Sequence, residues 1–194
     1  MITSAQCKCK ARELVAYEIM SDVLPNWTVT PTTDIMTIGD GDYARQDVTI
    51  EKNGTTYWVE AKTRDCPADR FFTEGYMISK SKIEQLAKTG EHAYLAAIFH
   101  KSNAIYVWDV VNCDRSGWAT KIMETEKNNF SSEKKTDEVY ILPFRTATKI
   151  EHNMEWYTDR FTECWRSYAI LNRAEHADKD ILGYRIKNNK IKTR

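Results

Sequence analysis

An Asn-Gly pair at positions 53 and 54 sits between two runs of alternating polarity in Gln46 to Thr63, QDVTIEKNGTTYWVEAKT. A type I′ turn needs positive φ at both central residues, and Asn and Gly adopt it most readily, so the pair predicts a two-residue β-hairpin. Counting outward gives the register: Lys52 opposite Thr55, Ile50 opposite Tyr57, Val48 opposite Val59 and Asp47 opposite Glu60. Side chains alternate along a strand, so one face collects Val48, Ile50, Tyr57, Val59 and Ala61 and should lie on a core. The other face carries Asp47, Thr49, Glu51, Thr56, Trp58, Glu60 and Lys62. Opposed Cβ atoms lie about 4.5–5.5 Å apart, so two carboxylates confront each other with an ammonium two residues further on. Like charges so placed are destabilising unless a divalent cation or the ammonium offsets them.

Before the hairpin, residues 10 to 24 (KARELVAYEIMSDVL) predict an amphipathic helix ended by Pro25. Val15, Ile19, Val23, Met20, Leu24 and Tyr17 form its apolar face, and Glu13 projects within that sector. A carboxylate there is either a first-turn acid close to water or a group directed at the hairpin carboxylates. Residues 26 to 38 predict a short strand interrupted at Pro31. Residues 39 to 45, GDGDYAR, form a loop in which Asp40 and Asp42 are further oxygen donors.

After the hairpin, Asp65 to Gly75 reads as a loop and Tyr76 to Gly90 as a helix with a Ser81–Glu84 capping box. Lys80 and Lys82 cluster at its start, where free backbone N–H groups favour an anion. Gln85 projects away from the Ile83/Leu86/Ala87 stripe. Ala93 to Phe99 is a nearly continuous apolar run, as expected of a strand buried on both faces and reached by a crossover from the preceding strand. Ala104 to Val110 predicts another strand, residues 112 to 135 mostly loop or short helix, and Glu138 to Phe144 an edge strand stopped at Pro143. Asn153 to Ala174 predicts a helix whose aromatic stripe (Tyr157, Phe161, Trp165, Tyr168) suits packing better than base stacking. The tail from Lys179 is basic and includes Lys187 and Lys190, a solvated tail or a phosphate-binding stretch.

Twenty-eight basic and 28 acidic residues cancel, so any contact with nucleic acid must come from local patches. Five Cys without framework spacing fit a reducing compartment. No apolar run approaches the length of a membrane span and no signal-peptide pattern is present, so a soluble, cytoplasmic protein is expected, in the host cytoplasm if viral. His100 and His152 read as surface residues. No Ser/His/Asp constellation and no phosphate-cradling Gly-rich loop is found.

Asp47 at the opening of one hairpin strand, with Glu60-Ala61-Lys62 on the next, resembles the PD-(D/E)XK nuclease superfamily. That superfamily includes type II restriction enzymes, Holliday-junction resolvases and phage nucleases. Gln46 stands where the family motif has its Pro. The resemblance covers about residues 10 to 110. It implies an α/β fold with a restriction-endonuclease-like core, a mixed central sheet flanked by helices in the order αβββαβ. Residues 1–150 would form this core and 151–194 a C-terminal helical extension and basic tail. It further implies a Mg²⁺-dependent nuclease, Mn²⁺ substituting, with Asp47, Glu60 and the Ala61 carbonyl as metal ligands and Lys62 acting on the reacting water or phosphate. Glu13 corresponds to the Glu that the first helix of the family often supplies. Lys80, Lys82, Gln85, Lys187 and Lys190 would contact nucleic acid, DNA before RNA, and a homodimer would suit cleavage of two strands. Two alternatives stand beside this one. One is a catalytically silent nucleic-acid-binding or assembly module of the same fold. The other is an unrelated α+β protein whose Asp47, Glu60 and Lys62 form a surface charge cluster.

Overall fold

A computed structural model describes residues 2–32, 47–126 and 134–189. Asp40, Asp42 and Lys190 lie outside them. In chain order the elements are α1 (Ser4–Val23), β1 (Thr28–Pro31), β2 (Val48–Lys52), β3 (Thr55–Arg64), β4 (Tyr76–Ser79) and α2 (Lys80–Ala87). There follow β5 (Ala93–Phe99), β6 (Ala104–Asp109), β7 (Ala119–Glu126), β8 (Lys134–Leu142), β9 (Thr148–Glu151), α3 (Tyr157–Leu171) and α4 (Ala177–Asn189). A six-stranded mixed sheet runs β1-β2-β3-β5-β6-β9, and a smaller sheet runs β4-β8-β7.

The hairpin forms as its turn chemistry dictates. Asn53 and Gly54 have φ of 51° and 78°, and the ladder pairs Lys52 with Thr55, Ile50 with Tyr57 and Val48 with Val59. A Cβ built on Gly54 meets open space, so Gly54→Ala isolates the left-handed strain. Thermal unfolding should show a loss of about 1–2 kcal/mol; an unchanged midpoint would contradict the turn assignment.

The six-stranded sheet separates two hydrophobic clusters. Val48, Ile50, Val59 and Ala61 join α1, α3 and α4 in the first. The second lies between the other face and α2, β4 and β8. Along β5 the alternation is complete, with Ala96 and Ile98 in the first cluster and Ala93, Leu95, Ala97 and Phe99 in the second. That is why the segment is apolar throughout: β5 lies inside the sheet, parallel to β3 and antiparallel to β6. The aromatic stripe of α3 is core, with Tyr157, Phe161, Trp165 and Tyr168 all buried.

Several expectations are corrected. α1 starts at Ser4 rather than residue 10, because Thr3 and Gln6 make a reciprocal capping box. Tyr76–Ser79 is a strand, and the helix after it begins at Lys80 without a side-chain cap, so the Ser81–Glu84 box is not used. Residues 119–126 form β7, and β8 is the centre of the smaller sheet rather than an edge. The tail is a helix to Asn189, with Ala177, Ile181 and Tyr184 in the first cluster. Among the described residues, no helix is long and apolar enough to cross a membrane.

Candidate active site

The alternation of β3 that sends Val59 and Ala61 into the first cluster sends Trp58 towards the second, and Glu60 and Lys62 share its side of the strand. Glu60 is 0% exposed. One of its oxygens touches the ammonium of Lys62, and the other lies 3.1 Å from Nζ of Lys82 on α2. Each oxygen of this buried carboxylate is thus met by an ammonium rather than by a neutral donor.

Asp47 stands one residue beyond the β2 ladder. Its N–H donates to the Val59 carbonyl at 3.0 Å, and its own carbonyl accepts from the Thr32 N–H at 3.1 Å. Its Oδ2 accepts from the Ala61 N–H at 2.8 Å and lies 3.6 Å from Nζ of Lys62. The expected pairing of Asp47 with Glu60 therefore does not form, because the chain turns at the end of the ladder. Ala61 lies past the last β2 pair, so its N–H meets the Asp47 carboxylate there. The two acids still share one ammonium.

The charges shape each other. Burial pushes the Glu60 carboxyl up, and so does Asp47, while Lys62 and Lys82 pull it down without cancelling the rise. Burial alone would lower the Lys62 ammonium, but Asp47 and Glu60 outweigh it and hold the pKa well above that of an ordinary lysine. With no metal bound, Lys62 is therefore held in its charged form by the two carboxylates. Glu60 is completely buried, unlike a residue of an open surface charge cluster.

The other expected residues divide. Lys82, expected as a nucleic-acid contact, reaches the site and pairs with Glu60. Glu13 does not come to the hairpin acids: its carboxylate pairs with Lys10 at 3.1 Å and its side chain is 43% exposed. The buried stripe of α1 runs through Cys7, Ala11, Val15 and Ile19, so Glu13 projects from nearly the opposite side. Lys80 pairs with Glu138 at 3.0 Å, and Gln85 is exposed. Lys187 lines a cleft of about 410 Å³ with Lys8, Asp65 and Tyr184. No three His, Cys, Asp or Glu side chains converge on a metal position among the described residues. Any ion would thus rest on two carboxylates completed by main-chain and water oxygens.

A second polar network closes the end of β3. Asp65 accepts from Arg12 of α1 and from the Tyr184 hydroxyl of α4 at 2.8 Å, with His100 Nε2 3.5 Å away. His100 stacks on Tyr157 with ring centroids 4.1 Å apart and is buried, not a surface residue as its sequence context suggested. This network and Arg64 were missed from sequence. For Arg64 the signal was available, since it continues the alternation Glu60, Lys62, Arg64.

No family model matches the chain, and no curated protein matches it. Among solved structures it is similar to Hjc, a Holliday junction resolvase from Archaeoglobus fulgidus. The similarity has a TM-score of 0.38 at 13% identity and covers 66% of this chain and 87% of that one.

Proposed function

We propose that the chain is a Mg²⁺-dependent nuclease that hydrolyses phosphodiester bonds of nucleic acid, DNA being the first substrate to test. The observation that carries this reading is Glu60, a fully buried carboxylate held between the Lys62 and Lys82 ammoniums, beside Asp47 on the same Lys62. Hard oxygen donors of this kind suit Mg²⁺, and Asp47, Glu60 and the Ala61 carbonyl would hold it. The ion, when bound, supplies Lewis acidity towards phosphate and acidifies water.

The chain's own residues do the rest. The Ala61 N–H fixes the Asp47 carboxylate against β3, so that acid is preorganised. Lys62 donates to developing charge on the phosphoryl oxygens and orients the attacking water. Lys82 brings a second ammonium to the same pocket. The segment 65 to 75, leaving β3 at this end, is placed to select substrate.

A second reading has one observation in its favour. Asp47 and Glu60 are matched by Lys62 and Lys82, so the four charges cancel without a metal, as a silent binding module of this fold would require. Incubation with supercoiled, linear and branched DNA and with RNA, in Mg²⁺, Mn²⁺ or EDTA, separates the two. Cleavage that EDTA abolishes supports the nuclease; binding without cleavage of any substrate supports the module.

A further inference from the structure

Arg64 follows Lys62 by two residues on the same face of β3, so their Cα atoms stand about 7 Å apart. Its guanidinium lies over the Tyr76 ring, 4.9 Å from the centroid. Tyr76, fully buried on β4, is itself stacked on Trp108 at 5.4 Å and meets the edge of Phe99 at 6.1 Å. The Arg64 guanidinium therefore sits against a ring that is itself packed in the core. Burial raises the Tyr76 hydroxyl pKa, while the charge of Arg64, its hydrogen bond to that hydroxyl and the charge of Lys62 pull it down.

What this guanidinium lacks is an anion. Arg12, Arg160 and Arg185 each engage a carboxylate, of Asp65, Glu18 and Asp159. Arg64 has no such partner among the described residues, and its Nε is buried without an acceptor. A buried charged donor left unmade is costly, so a ligand that completes it is favoured. A guanidinium held against an aromatic ring keeps its planar fork, which can make two parallel N–H···O bonds to phosphate where an ammonium cannot.

We propose that Arg64 grips the backbone phosphate adjoining the one at Lys62, with Tyr76 as its positioning residue. The inference rests on the nuclease reading, because it extends that site along the substrate strand. Packing alone would also put an arginine over Tyr76, but it would leave nucleic-acid affinity untouched.

The test is binding of a labelled DNA duplex in EDTA, measured by fluorescence anisotropy over a range of salt, for the wild-type chain, Arg64→Ala and Arg64→Lys. Arg64→Ala should weaken binding about tenfold or more and reduce the log–log salt slope by about 0.9, the loss of one phosphate contact. Arg64→Lys should keep the slope and recover only part of the affinity. If Arg64→Ala does not fold, Arg64→Gln, which keeps a planar group on the ring without the charge, is read in its place. An unchanged slope and affinity, with or without a lowered melting temperature, overturns the proposal while metal-dependent cleavage by the wild-type chain still upholds the nuclease. Wild-type binding without cleavage, with the slope reduced in Arg64→Ala, overturns the nuclease and keeps Arg64. A wild-type chain that binds no nucleic acid overturns both.

Discussion

Lys62→Ala is expected to lower Mg²⁺-dependent cleavage by about 10²–10³-fold, with the far-ultraviolet spectrum unchanged. The side chain is 39% exposed, so its loss opens no core cavity. What goes is the ammonium shared by Asp47 and Glu60, which the proposed reaction directs at phosphoryl charge. Asp47→Asn is the companion variant. Its amide oxygen still accepts the Ala61 N–H, so the fold is kept, but one hard anionic donor is gone and the Mg²⁺ requirement should rise. Initial rates measured against Mg²⁺ concentration read both effects. Cleavage that persists at wild-type rates in both variants would end the site assignment. The pH profile adds a sign. Asp47 and Glu60 raise the Lys62 pKa in the metal-free site and the role proposed for Lys62 is electrostatic, so no rate increase should accompany deprotonation of an amine between about pH 7 and 9. Such an increase would make Lys62 a base, contrary to its environment.

Asp65→Asn is expected to cost about 2–3 kcal/mol at pH 7. Breaking a fully buried ion pair typically costs about 3–5 kcal/mol. The figure here is discounted because the side chains of Arg12 and Asp65 are 33% and 29% exposed. Arg12 would be left facing a neutral amide, and the Tyr184 hydroxyl would lose its charged acceptor, loosening α1 and α4 from the end of β3 together. The pH dependence has a definite direction. Burial would raise the Asp65 carboxyl, but His100, Arg12 and Tyr184 hold it far below its ordinary value of 3.8. A depressed folded pKa means that the unfolded chain binds the proton first. The stabilisation is therefore complete above about pH 4 and lost as pH falls below it. Urea unfolding at pH 7 and pH 3 should show a wild-type loss that Asp65→Asn lacks; parallel losses in both proteins would refute the assignment.

These two sites differ in how much of them could be read beforehand. The Asp47, Glu60 and Lys62 cluster was legible because one tight turn sets its register. Lys82 was legible as a cation near a helix start that could face the site, but the Glu60 oxygen it meets lies on β3 and no local spacing named it. Glu13 failed for a local reason. The helix starts six residues earlier than its apolar residues suggested, and its buried stripe runs through Cys7 and Ala11 instead. The Asp65 network joins residues from α1, the bend after β3, the turn after β5 and α4, and no spacing along the chain announces it. Tyr76–Ser79 was misread because the Ser and Lys residues just after it resemble a helix start. It is extended because β8, far along the chain, offers it a ladder.

By itself the sequence determined the elements whose cause lies within a few residues. These are the Asn53-Gly54 hairpin and its two faces, the doubly buried β5, and the packing stripe of α3, each following from backbone preference or a simple period. Only the tertiary structure decided which distant side chains neutralise one another. It placed Lys82 on Glu60, Arg12 and Tyr184 on Asp65, and Tyr76 beneath Arg64, because the worth of a charge depends on the burial and partners that folding alone supplies.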